Sequence, residues 1–128
     1  MSYYFSRTVQ TTFDDAVNRV IEELKKEGFG VLTDIDVKDT LKKKLGVDFR
    51  RYRILGACNP NFAYQALQAE DKIGTMLPCS VIVQEIEGVG AEVAATDPAA
   101  SMQAVKNPKL DAIAAQVRSK LKAVIDRL

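Results

Sequence analysis

Segments in which apolar and polar residues alternate are interleaved, along this chain, with segments in which apolar residues recur every three or four positions. Residues 3–9, Tyr-Tyr-Phe-Ser-Arg-Thr-Val, are aromatic and β-branched with partial alternation and predict a strand. Phe13, Val17, Val20, Ile21 and Leu24 then form one apolar stripe. Thr12 stands before it as a cap, Asp14 and Asp15 fall in its first turn, and Lys25, Lys26 and Gly28 close it. Residues 29–35 predict a second strand. Asp36 caps a short helix that carries Val37, Leu41 and Leu45 and ends at Gly46. Residues 51–57 predict a third strand. Asn59-Pro60 starts a helix that runs to about Ala69, since Asn caps and Pro at the first position loses no needed N–H. Pro78 closes a connecting loop. Residues 79–86 predict a strand whose unbroken Val81-Ile82-Val83 implies burial on both faces. Glu87-Gly88-Val89-Gly90 is a hairpin turn, residues 91–96 return, and a loop follows Asp97-Pro98. Asn107-Pro108 repeats the helix start. The last helix carries Leu110, Ile113, Ala114, Val117, Leu121, Val124, Ile125 and Leu128.

The hairpin requires an antiparallel pair, so the order of elements predicts an α+β fold. It is expected to be a two-layer sandwich of a mainly antiparallel sheet of about five strands, with helices on one face. The other face is exposed or covered by a partner. No linker, repeat or low-complexity stretch divides the 128 residues, which read as a single domain over residues 1–128.

Composition narrows the function classes. Lys plus Arg is 18 and Asp plus Glu is 17, a net charge of +1. A large phosphate-neutralising surface is not expected from that balance, although Lys42-Lys43-Lys44 and Arg50-Arg51-Tyr52-Arg53 make a local basic cluster with an aromatic interleaf. The chain has no His, which removes every Ser-His, Cys-His and His-metal arrangement within one chain. No stretch approaches the roughly 20 apolar residues of a membrane span, and the N-terminus has no signal-like apolar core. The two cysteines are too few for a disulfide scaffold, so a cytoplasmic protein with reduced thiols is expected.

Those cysteines sit in the most specific features, Ile54-Leu55-Gly56-Ala57-Cys58-Asn59-Pro60 and Leu77-Pro78-Cys79. Cys58 ends a strand one residue before a helix cap, where the positive end of the helix is expected to stabilise a thiolate. By strand parity Arg51 and Arg53 share a face with Leu55 and Ala57, away from Cys58, unless a bulge at Gly56 reverses this. The alternative is plain: free cysteines are among the most buried residues, and the prolines then only set chain direction.

The stretch Thr40-Leu41-Lys42, Gly46-Val47-Asp48-Phe49 and Tyr52 through Pro60 resembles the domain-of-unknown-function 302 family. So do Ala63, Ala66-Leu67, Ile73-Gly74 and Leu77 through Val83. The resemblance covers nearly the whole chain. It implies a two-layer α+β fold with a topology similar to that of the TATA-box-binding protein, and a homodimer. It implies no activity.

Four functions remain open: a binding module for a small ligand or a soft metal, a thiol redox or nucleophile site, a nucleic-acid binder, and a structural homodimer with core cysteines. Two thiolates suit a soft ion such as Cu(I) but do not complete a tetrahedral zinc site. The candidate site is the corner made by Cys58, Asn59, Pro60, Pro78 and Cys79, with Asn59 as cap or ligand donor. It is expected to take a small ligand, with nucleic acid and membrane not among its partners. Nothing in the sequence names a cofactor, a catalytic residue or a reaction, and whether the two turns meet in space is left open by the 20 residues between the cysteines.

Overall fold

A computed structural model describes residues 2–128. Each alternating segment is a strand: β1 (Tyr4–Val9), β2 (Gly30–Asp36), β3 (Tyr52–Cys58), β4 (Cys79–Ile86) and β5 (Gly90–Thr96). They form one five-stranded antiparallel sheet in the order β1-β5-β4-β3-β2. The helices are α1 (Phe13–Lys26), α2 (Val37–Leu45), α3 (Pro60–Ala69), α4 (Pro98–Ser101) and α5 (Pro108–Asp126).

The caps follow from the side chains. Thr12 accepts from the Asp15 amide and Asp36 from the Asp39 amide, as expected for N-caps. Gly46 ends α2 in the left-handed region, which a residue without Cβ enters freely.

The core lies between the sheet and two helices. Leu55 and Ala57 of β3, Val81 and Val83 of β4, and Ala91, Val93 and Ala95 of β5 are all buried on one sheet face. Phe13, Val17, Val20 and Leu24 of α1, with Val117, Leu121, Val124 and Ile125 of α5, close over them. This is the two-layer α+β arrangement the pattern predicts, with period-2 stripes facing period-3.6 stripes.

Three expectations need correction. Val81-Ile82-Val83 is not buried on both faces: Val81 and Val83 are sealed, while Ile82 on the outer face is only half-buried. All the strands here are antiparallel and the helices cover one face, so the apolar run reflects a partly apolar outer face rather than a double cover. The connection before Pro78 is not a simple loop but carries a 3₁₀ helix, Asp71–Met76, anchored by buried Ile73. The loop after Asp97 begins with α4, capped by the Asp97 side chain. Both short helices pack into a second apolar cluster of Ala66, Ile73 and Leu110, extended by Leu77, Met102, Val105 and Ile113. No helix among the described residues is long and apolar enough to cross a membrane.

Candidate functional site

The two cysteine turns meet. Ala57 of β3 is the direct cross-strand partner of Cys79 of β4, so Cys58 lies one residue beyond the partner of Cys79. Cys58, Asn59, Pro78 and Cys79 all line one cavity of about 300 Å³. Its floor is the end of β3 and the start of β4. Phe62, Ala63, Ala66 and Leu67 of α3 form one wall, and Ile113, Ala114 and Val117 of α5 form another. Gly74, Leu77, Pro98 and Met102 complete it, and Phe29 and Leu32 border it at β2. The lining is almost wholly apolar. Leu32 and Leu67 also reach the surface, where Leu32 is 69% and Leu67 44% exposed.

The turns are fixed by close packing at Gly56. A β-carbon there would lie 2.7 Å from Pro78 Cγ and closer still to Thr33 Oγ1, so only glycine lets β2, β3 and the Pro78 turn come together. The Leu77-Pro78 peptide is cis. The irregularity in pairing falls on β2, between Val31 and Thr33, rather than at Gly56. Strand parity therefore holds for the arginines: Arg53 pairs with Asp34, and Arg51 pairs with Asp14 and lies over the Phe13 ring.

Asn59 does not cap α3 with its side chain, contrary to the sequence expectation. Its Nδ2 instead donates to the Glu27 carbonyl at 3.2 Å. The last carbonyls of α1 have no partner within the helix, and this amide supplies one. Asn107, at the other Asn-Pro start, does both tasks: it accepts from the Lys109 amide and donates to the Ala69 carbonyl at 2.8 Å. Pro60 lies outside the cavity, on an outer groove beside Glu27, Gly28 and Lys120.

Cys58 is half-buried and Cys79 is buried, and both are free thiols. Burial pushes the Cys79 thiol up to about 11, and a charge on Cys58 pushes it the same way. Among the described residues, no three or more Cys, Asp and Glu side chains converge where they could hold a metal ion.

Sequence reasoning missed the cavity walls. Their signal is the small residues Ala63, Ala66 and Ala114, which fall where two apolar helix stripes face each other and leave space between them. It also missed Asp97, which is 5% exposed and accepts from the Ala99 amide and from Arg118 Nε at 3.1 Å. That ion pair ties α4, and so Pro98 and Met102, to α5.

The pattern of Domain of unknown function DUF302 matches residues 5–128. No curated protein matches the chain. The crystal structure of an uncharacterized conserved DUF302 protein from Bacillus stearothermophilus is similar throughout. Its TM-score is 0.91 at 32% identity, over 99% of this chain and 98% of that one. Fold and sequence pattern agree: this chain belongs to the DUF302 family, whose function is unknown.

Proposed function

We propose that the protein binds a small, uncharged, predominantly apolar molecule in the cavity at the Cys58–Cys79 corner. The observation that carries this reading is the lining itself: about 300 Å³ walled by apolar side chains, with two thiols and Asn59 as its few polar groups. Small-molecule sites take this form, with an apolar wall and a few placed polar groups. A cavity of about 150 Å³ lined by Leu, Ile and Phe already binds benzene. A space of about 300 Å³ suits a ligand up to roughly twice that size, such as a fused aromatic or a short acyl or prenyl chain. Leu32 and Leu67 at the surface offer an apolar rim for the part that emerges.

The soft-metal reading is less well supported. A metal wants thiolates, whereas burial favours the neutral form of Cys79. The test uses a neutral naphthylamine fluorophore, N-phenyl-1-naphthylamine, with the intact protein. Saturable binding with a blue-shifted emission is expected, and Ala63→Phe, which fills the space from α3, should abolish it while leaving the circular dichroism spectrum unchanged. Absence of binding by the wild type, or equal binding by Ala63→Phe, would overturn the proposal.

A second reading concerns assembly. The sheet face not covered by helices carries Tyr4, Ile35, Ile54, Ile82 and Ala94, with Tyr3 71% exposed beside it. Its one acid near the centre, Glu92, accepts from Gln84 at 2.8 Å, which gives the carboxylate a partner within its own sheet. An apolar centre with a polar rim suits a symmetric contact between two copies. Sedimentation at micromolar concentration should give a dimer that Ile82→Glu converts to a monomer. A wild-type monomer would end this reading.

A further inference from the structure

We infer that Cys58 and Cys79 are a dithiol site which a hydroperoxide converts to an intramolecular disulfide, and that the reduced and oxidised forms differ in how well the pocket is filled. The second half rests on the ligand-binding reading above; the first half does not.

The geometry is that of two neighbouring strands. Directly opposed residues of an antiparallel pair have Cα atoms about 4.5–5.5 Å apart, and disulfides span Cα separations of about 4.4–6.8 Å. Ala57 and Cys79 are directly opposed, and Cys58 is the next residue after Ala57. In a regular strand that one step would turn the Cys58 side chain to the other face. Cys58 is however the last residue of β3, and the next position along the partner chain is Pro78, which has no N–H to extend the ladder. Cys58 still pairs with Gly30 of β2 on its other side, the chain leaves the sheet after it for α3, and both cysteines line the same cavity.

A disulfide carries no charge, so the apolar wall accommodates it as it does the neutral thiols. The two thiols also have different roles. Cys58 is the more exposed and meets the oxidant first, while buried Cys79 stays a thiol and follows. In the first step Cys58 sulfur attacks the hydroperoxide. An S–O bond forms, the O–O bond breaks, and the leaving oxygen departs as an alcohol or water carrying a proton. In the second, Cys79 sulfur attacks Cys58 sulfur. The S–S bond forms, the S–O bond breaks, and water leaves with the Cys79 proton. Two thiols lose two electrons and the peroxide gains them.

The disulfide would pin the start of α3 to the Pro78 turn, and so change the wall that a ligand touches. Occupancy and oxidation are then reciprocally coupled. The experiment takes the fully reduced chain and one equivalent of hydrogen peroxide. Both thiols should disappear, with an intact mass lower by two hydrogens and no cross-linked species. Cys79→Ser should stop at a Cys58 sulfenic acid that dimedone traps, and Cys58→Ser should leave Cys79 reduced. Cys79→Ala replaces Cys79→Ser if a buried hydroxyl unfolds the chain. The fluorophore should bind the oxidised form about tenfold more weakly than the reduced form. Survival of both thiols, a persistent sulfenic acid in the wild type, or cross-links between chains would overturn the disulfide. Equal fluorophore binding in both states would overturn the coupling alone. A disulfide in a protein that binds no fluorophore in either state would overturn the ligand reading and leave the dithiol site standing.

Discussion

Asn59 Nδ2 donates to the carbonyl oxygen of Glu27 at 3.2 Å, joining the first turn of α3 to the end of α1. Thirty-two residues separate the pair, so the bond fixes how the Cys58 corner is held against the first helix. A β-carbon on Gly28, whose φ is +85°, would lie 3.1 Å from the same Nδ2. The left-handed glycine thus ends α1 and leaves room for the amide.

Replacing Asn59 by Ala leaves the Glu27 carbonyl without its donor. Urea unfolding should show a loss of about 1–3 kcal/mol. Asn59→Asp should lose at least as much near neutral pH, because an ionised carboxylate only accepts and would face a carbonyl oxygen. If Asn59→Asp were as stable as the wild type, the bond would not be contributing.

Gly56→Ala places a methyl group against Thr33 Oγ1 and 2.7 Å from Pro78 Cγ. Overpacking of this kind costs about 1–3 kcal/mol, and here it presses on Pro78, which lines the cavity. Loss of fluorophore binding should accompany loss of stability. Combining it with Thr33→Ala should recover part of the stability, because one of the two obstructions goes. A double-mutant cycle measures the recovery, and strict additivity would show that Thr33 does not constrain Gly56.

The legibility of the fold follows from where its information is local. Thr12, Asp36, Gly46 and the Glu87–Gly90 turn act within a few residues, and each does what its side chain or its lack of one dictates. Asn59 and Asn107 show the limit. Both precede Pro in the same dipeptide and both donate their amide to a carbonyl more than thirty residues away, yet only Asn107 also caps its own helix. The 3₁₀ helix and α4 are held by a small apolar cluster contributed by distant segments, which no local periodicity displays. The corner itself was legible as two motifs, and their meeting was not, since it depends on the β3–β4 register. The cavity walls come from α3 and α5, far apart in the chain, and no motif announces them.

Burial raises the Cys79 thiol from 9.0 to about 11, with a charge on Cys58 adding to the effect, and this makes stability depend on alkaline pH. The unfolded thiol ionises at the lower pH. Between about 9 and 11 the folded chain therefore holds more protons than the unfolded chain. Stability is fully present below about 9 and falls as pH rises toward 11, by about 2–3 kcal/mol. Cys79→Ala should flatten that part of the urea-midpoint profile. A mutant profile parallel to the wild type would assign the slope to other groups.

Four of the six basic side chains in the cluster are paired with acids where they stand. Lys42 lies 3.2 Å from Asp48 and Lys43 lies 3.0 Å from Asp39, while Arg51 pairs with Asp14 and Arg53 with Asp34. Arg50 donates to Gln84 and lies over the rings of Phe49 and Tyr52, so the aromatic interleaf is itself covered. Phosphates bind by displacing counterions from free basic groups, and here acids already occupy that role. Fluorescence anisotropy with labelled random-sequence DNA should detect no binding at physiological salt and no salt-dependent slope. Changing Asp14, Asp34, Asp39 and Asp48 to Asn together releases four cations. Binding should then appear at low salt, with log K falling against log salt by about 0.9 for each phosphate contacted. Salt-sensitive binding by the unaltered protein would mean that the acids do not screen the cluster.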